Sequence, residues 1–337
     1  MEKQELLEKL KVLLVKECSL EYLAHELEIT ELEVMGLTRL LRESGENINV
    51  IKKSDGIYIE NIGDVKVNVR NTYTININEN TLKLLLISDT RLCSKFEQMS
   101  ILNNIYKVAH EMGVKKVLHL GDLTEGIYMG NKRIYNQAVL HHNPESQVKY
   151  VHDNYPYING METLFITGEH DLSFLKTKDK QDIGTDIAEQ REDMIYLGQR
   201  NCLIRVRNES NNRETLIDLR HPDGVIPYTV SYKPQKIVDA MREEDLPDIL
   251  NFGHFLVQDT FYHHGVLVNQ VPSICATTPE MIDKGYNNII GATVLTIRFT
   301  NKGKIQSIDR MFLNYRSIIQ EDFKTFKVLS EGKKLVK

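Results

Sequence analysis

Residues 82–91 read LKLLLISDTR, a short apolar run of strand length that stops at Asp89. The same construction recurs four times downstream: VLHLG ends at Asp122, LFITG at Glu169-His170-Asp171, LIDLR at His221 and ILNFG at His254. Short apolar runs bounded by polar residues read as buried strands. Carboxylates and imidazoles set just past such strands are placed to hold metal ions at one edge of an α/β core.

The five motifs resemble those of the calcineurin-like metallophosphoesterases, which run Asp-x-His, Gly-Asp, Gly-Asn-His-Asp/Glu, a lone His, and Gly-His-x-His. This chain has Asp89-Thr90-Arg91, Gly121-Asp122, Gly168-Glu169-His170-Asp171, His221 and Gly253-His254-Phe255-Leu256, spread over about residues 82 to 315. The resemblance implies a β-sandwich flanked by helices and metal ligands at Asp89, Asp122, Glu169, His221 and His254. Three positions depart from the pattern. Arg91 and Leu256 stand where the family has both imidazoles of one metal, and Glu169 stands where it has Asn. The expectation is therefore one ion where the family has two, held by Asp122, Glu169, His221 and His254. Manganese is the expected ion, with iron or zinc also suited to a mixed oxygen and imidazole set.

Charge explains what Arg91 could do there. Asp89, Asp122 and Glu169 in one pocket disfavour one another's ionisation unless a cation intervenes. A guanidinium can supply that charge and grip a carboxylate or phosphate, but it cannot act as a Lewis acid. An inert substitution, a surrogate cation and a phosphate clamp all remain open for Arg91. The resemblance assigns His170 as general acid, with Asp171 expected to orient it.

Other histidines are read as bland. His119 lies mid-strand and is expected to be packed. The adjacent pairs His141-His142 and His263-His264 would point in opposite directions on extended backbone, so neither pair is expected to share a metal.

The chain has 337 residues, a net charge of −5 and a pI near 6.2, which excludes a global basic footprint for nucleic acid. Cys18, Cys93, Cys202 and Cys275 show no C-x-x-C spacing and read as reduced thiols. No signal peptide and no run of membrane-spanning length are visible, so a cytoplasmic protein without membrane contact is expected.

Four segments are predicted: 1–65, 66–80, 81–320 and 321–337. In the first, Leu6, Leu7, Leu10, Leu13 and Leu14 have helical spacing. Ser19 caps a second helix, and Thr30 with Glu33 opens a third. The runs INVIKK and GIYIEN then form a hairpin, completing a winged helix-turn-helix. Residues 1–65 carry eight Lys/Arg against fourteen Asp/Glu, a net of −6. Counterion release on DNA would thus gain little, although Arg39, Arg42, Lys52 and Lys53 are local basic spots. DNA contact and protein docking both stay open. Residues 66–80 alternate like an edge strand, 81–320 alternate strand with helix, and 321–337 form a charged tail.

After His221, the run HP-x-G with SY-x-PQK downstream resembles a subset of metallophosphoesterases that carry an N-terminal helix-turn-helix, occur in phages and archaea and are related to DNA-repair exonucleases. Tyr232, Lys233 and Lys236 could face a phosphate-bearing substrate or lie in solvent. Two functions follow from the resemblance. One is metal-dependent phosphodiester hydrolysis, on nucleic acid. The other is a non-catalytic scaffold or regulatory subunit of a nucleic-acid-processing or transcription complex.

Overall fold

The computed structural model describes residues 3–14, 18–44, 46, 48–53, 56–61, 71–178, 180–208, 213–286 and 288–315. The chain divides into two compact units, Met1–Val69 and Arg70–Lys337.

In the first unit, helices α1 (Lys3–Leu13), α2 (Leu20–Leu27) and α3 (Glu31–Glu43) accompany strands β1 (Cys18–Ser19), β2 (Ile48–Lys53) and β3 (Gly56–Asn61). The strands form an antiparallel sheet in the order β1-β3-β2. Leu10, Leu14, Leu23, Leu27, Val34, Leu37 and Leu41 bury one stripe of each helix against Ile48 and Ile59. The expected caps are present. The Ser19 side chain accepts from Tyr22 N, and Thr30 Oγ1 accepts from Glu33 N while Glu33 Oε2 accepts from Thr30 N. Arg39 is exposed on α3. The side chains of Arg42, Lys52 and Lys53 lie outside the described residues.

The second unit continues with β4 (Thr72–Ile77), β5 (Thr81–Ile87), α4 (Met99–Glu111), β6 (Lys116–Leu120), α5 (Pro144–Asn154), β7 (Glu162–Thr167), α6 (Ile183–Gln190) and β8 (Met194–Gln199). Next come β9 (Asn201–Asn208), β10 (Arg213–Arg220), α7 (Tyr232–Asp239), β11 (Ile249–Phe252), β12 (Asp259–His263) and β13 (Val266–Gln270). It closes with α8 (Pro279–Asp283), β14 (Ile290–Phe299) and β15 (Ile305–Tyr315). Of the segment 66–80, residues 66–70 lie outside the described residues, and β4 is the edge strand of a sheet. The segment 321–337 also lies outside them.

Two six-stranded sheets form, β15-β14-β5-β6-β7-β8 and β12-β13-β11-β10-β9-β4. Strands β5 to β8 run parallel, as do β10, β11 and β13. Leu84, Leu86, Leu118, Leu120, Leu164 and Ile166 face the second sheet, where they meet Ile204, Ile217, Leu219 and Ile249. Their chain neighbours Leu85, Ile87, Val117 and Phe165 face Ile105, Tyr106 and Ala109 of α4 and Val148 and Val151 of α5. Both faces of these strands are buried, which is why they read as unbroken apolar runs. The outer face of the second sheet packs Leu250, Phe252 and Val268 against Val238 of α7. The unit is thus a mixed α/β sandwich of two sheets flanked by helices.

Candidate metal centre

All five motif loops leave strand ends of the sandwich: β5 delivers Asp89, β6 Asp122, β7 Glu169, β10 His221 and β11 His254. In parallel sheets those carboxyl ends are where side chains converge on a ligand. Asp89, Arg91, Asp122, His254 and Leu256 hold left-handed backbone, with φ of 50, 44, 53, 72 and 61°. Such residues cost roughly 1–3 kcal/mol each unless the surroundings over-determine them. Here the loops lock one another: Asp89 N donates to Gly121 O and Arg91 N to Asp122 O, at 3.0 and 3.1 Å. Gly121, at φ 92°, and Gly168 permit this approach. A Cβ on Gly121 would lie 2.5 Å from His221 Nδ1, and one on Gly168 would lie 2.2 Å from Asp122 Oδ1.

Asp89 and Asp122 are fully buried and each keeps one oxygen without a hydrogen bond. Asp89 Oδ2 accepts from Ser88 Oγ and His254 N, at 2.6 and 3.1 Å, leaving Oδ1. Asp122 Oδ1 accepts from His170 N at 2.8 Å, leaving Oδ2. His221 Nδ1 donates to Leu120 O at 2.6 Å, so Nε2 is the free ring nitrogen, and it stands 3.3 Å from Asp122 Oδ2. A backbone carbonyl holding one imidazole nitrogen while the other faces carboxylates is how ligating histidines are oriented. Burial opposes charge on His221, but Asp122 and Asp89 push its pKa up to about 9. Burial and Asp122 raise the Asp89 pKa, whereas His221 and His170 hold Asp122 well down against its burial.

Ligand atoms of Asp89, Asp122 and His221 lie within 4.8 Å of one another, and so do those of Asp122, Glu169 and His170. Glu169 sits at the half-exposed rim, 4.0 Å from His254 Nδ1. His254 Nε2 donates to Gly224 O at 2.7 Å, which leaves Nδ1 facing Glu169. Of the expected set Asp122, Glu169, His221 and His254, His221 stands beside Asp122 and His254 beside Glu169. Asp122 belongs to two clusters, one with Asp89 and His221 and one with Glu169 and His170. Two carboxylate oxygens and an imidazole nitrogen, all buried and without hydrogen bonds, fit a divalent ion with mixed O and N ligands.

Arg91 is buried beside them, with Nη2 3.7 Å from Asp122 Oδ2 and Nε 4.0 Å from Asp89 Oδ1. Burial disfavours its charge, yet Glu125, Asp122 and Asp89 surround it and keep it protonated. Of the three roles open for Arg91, inert substitution fits this placement least. Leu256 is buried and lines an apolar cavity of about 550 Å³ with Val225, Tyr228, Phe255 and Tyr286.

The expected pairing of Asp171 with His170 is not made. Asp171 accepts from the backbone N–H of Leu123, Thr124 and Gly168, at 3.1, 2.7 and 2.8 Å, and from Thr124 Oγ1. It therefore ties the second motif loop to the third. The His170 ring is oriented instead by the Glu125 carbonyl, 2.9 Å from Nδ1, and packs edge-on against Tyr128. Its Nε2 faces a cleft of about 260 Å³ lined by Tyr128, Lys132, Glu169 and Asp223. Lys233 lies over the Phe255 ring at 5.8 Å and donates to the Asp223 carbonyl, so it braces the loop after His221.

Sequence reasoning missed the buried acids around this centre. Glu125 Oε1 accepts from Tyr128 OH at 2.5 Å, and its Oε2 is buried beside Arg91 without a partner. Glu280 bonds Lys132 and Lys284, both at 3.0 Å. Against its burial, His170 and those lysines hold its pKa at about 2. Glu97 accepts from Cys93 N at 2.8 Å and from Tyr150 OH. Isolated acids in polar stretches read as solvated, so no pattern marked them. Burial pushes Glu97 to about 7 from an unfolded value near 4.5. Through that interval the folded chain binds the extra proton, so stability should fall as pH rises from about 5 to 7.5, by up to ~3 kcal/mol. Glu97→Gln keeps the acceptor for Cys93 N and should flatten that slope in denaturant unfolding followed across pH. An unchanged slope would remove Glu97 as its source.

His119 is buried, with Nε2 2.9 Å from Thr90 Oγ1, in the packed role expected of it. His141 packs on Tyr150. The expected opposition of the His263 and His264 side chains is not found: both Nε2 atoms reach Asp239 Oδ1, at 2.6 and 3.2 Å. His263 pairs with Val266 across a two-residue hairpin loop whose central residues, His264 and Gly265, have φ of 48 and 78°. Such a turn abandons the extended backbone on which neighbouring side chains oppose one another.

No protein-family model matches the chain, and no curated protein matches it. Among solved structures, it is similar to an archaeal phosphodiesterase at 14% identity, covering 69% of this chain and 100% of that one, with a TM-score of 0.38. It is also similar to a predicted phosphoesterase from Streptococcus pneumoniae (11% identity, 69% and 98% covered, TM-score 0.32). A third is Vps29 from Entamoeba histolytica complexed with zinc (14% identity, 70% and 100% covered, TM-score 0.31).

Proposed function

We propose that this protein is a calcineurin-like metallophosphoesterase with one resident divalent ion, acting on phosphodiesters and in particular on nucleic acid. The observation that carries the reading is the meeting of Asp89 Oδ1, Asp122 Oδ2 and His221 Nε2, buried and without hydrogen-bond partners. These three, with Glu169 at the rim and the buried His254 beside it, would hold the ion, and manganese, iron and zinc all suit them. Such an ion, when bound, polarises a phosphoryl oxygen and acidifies water.

The remaining roles belong to side chains. His170, fixed through Nδ1 by the Glu125 carbonyl, presents Nε2 to the cleft, where its protonated form can give a proton to a leaving oxygen. Arg91 neutralises Asp89 and Asp122 on the side where the family carries a second ion, and its guanidinium can grip a nonbridging phosphate oxygen. Asp171 and Glu125 act as positioning residues. The three helices and antiparallel sheet of Met1–Val69 support a winged helix-turn-helix. Its acidic balance leaves DNA or a protein as its partner.

The test is metal content with manganese-dependent hydrolysis of bis(p-nitrophenyl) phosphate. Asp122→Asn with His221→Ala should lower bound manganese from about one ion per chain to none and abolish turnover. Unchanged metal content in that variant would remove the ligand assignment. The second reading, a non-catalytic scaffold, is favoured by Arg91 and Leu256 at the two departed positions. Full metal loading without hydrolysis would select it.

A further inference from the structure

We propose that Asp239, His263 and His264 form a second metal site, separate from the carboxylate centre, for a divalent transition ion of the zinc or copper(II) class. Asp239 ends helix α7, His263 ends strand β12, and His264 opens the two-residue loop into β13. Ligand atoms of the three lie within 4.8 Å of one another. All three side chains reach solvent, so an ion can enter directly.

The hairpin loop makes the arrangement specific. On extended backbone the two imidazoles would face opposite ways, and the left-handed turn at His264 swings the second ring beside the first, with centroids 4.4 Å apart. Both Nε2 atoms then stand around one carboxylate oxygen, at 2.6 and 3.2 Å. Ligands of a tetrahedral zinc ion, at about 2.0–2.1 Å from it, lie roughly 3.3 Å apart. The His264–Asp239 separation already matches that edge, and the His263–Asp239 one needs a small opening of an exposed side chain. Two imidazoles and one carboxylate suit zinc and copper(II) and suit calcium and magnesium poorly. Three protein ligands leave the fourth position to water.

The ion would tie the end of α7 to the β12–β13 hairpin. Helix α7 follows the segment that contains Gly224, whose carbonyl receives His254 Nε2 at 2.7 Å. The clamp therefore restrains an element joined by a short stretch of chain to the carboxylate centre.

The experiment is a zinc chloride titration of the chelator-stripped full chain, with a copper(II) electron paramagnetic resonance spectrum as second readout. The wild-type chain is expected to bind zinc at two classes of site. His263→Ala with His264→Ala, on an exposed turn, should remove one class and abolish the two-nitrogen copper signal of that site, while Asp122→Asn with His221→Ala should lose the carboxylate-centre class and keep this one with its copper signal. Zinc stoichiometry in the double-alanine protein equal to wild type, or a copper spectrum unchanged by it, overturns the proposal. A wild-type chain without the carboxylate-centre class, or an Asp122→Asn/His221→Ala chain that keeps it, would instead count against the proposed function and leave this site standing. If Asp122→Asn/His221→Ala does not fold, the wild-type and double-alanine comparison decides by itself.

Discussion

Arg91→His combined with Leu256→His should raise bound manganese from about one to two ions per chain and increase phosphodiester hydrolysis by about 10²- to 10⁴-fold, equivalent to ~3–5 kcal/mol of barrier. Arg91 stands 3.7 and 4.0 Å from the Asp122 and Asp89 oxygens that lack hydrogen bonds. On the proposed reading its guanidinium supplies charge where a second ion would otherwise sit, and it cannot activate water. Replacing it removes the positive charge beside both oxygens and adds an imidazole. Leu256 already holds φ 61°, a region in which His is several-fold more common than most residues, so the backbone does not oppose the change. Leu256→His alone retains the guanidinium and should stay at about one ion. Elemental analysis and initial rates at saturating manganese check both variants, and a double variant that still binds one ion would mean that Arg91 does not occupy the second position.

Arg91→Met should destabilise the metal-free protein by about 3–5 kcal/mol, because removing one partner of a buried ion pair leaves the other uncompensated. Asp89 and Asp122 are fully buried, and each already raises the cost of ionising the other where no cation intervenes. Methionine keeps much of the side-chain volume, so loss of packing contributes little. Manganese at about 100 times its dissociation constant should return roughly 2.7 kcal/mol, since an ion that binds only the folded chain stabilises it by mass action. Denaturant unfolding with and without manganese measures both effects. A metal-free variant as stable as wild type would show that Arg91 does not serve as the missing cation.

The strand-and-ligand pattern was legible because the runs that end at Asp89, Asp122 and Glu169 are buried on both faces in the folded chain. Leu84 and Leu86 enter the core between the sheets while Leu85 and Ile87 meet the helices, so neither face needed a polar residue. The Thr30–Glu33 cap was legible for a similar reason: its hydrogen bonds span three residues. Asp171 was misread because sequence adjacency to His170 suggested a pair. Its carboxylate instead turns to three backbone N–H groups, two of them on the Asp122 loop 47 and 48 residues away.

By itself the order of residues determined that five polar positions would stand at strand ends of an α/β core, since apolar periodicity is a local property of the chain. Tertiary structure alone decided which atoms face one another. Placing Arg91 between two carboxylates, turning Glu97 and Glu125 inward, and swinging His263 and His264 onto Asp239 all depend on loop backbone, much of it left-handed, and on contacts between distant segments. Charges meet through space, and the low dielectric of a packed interior gives those meetings their energy.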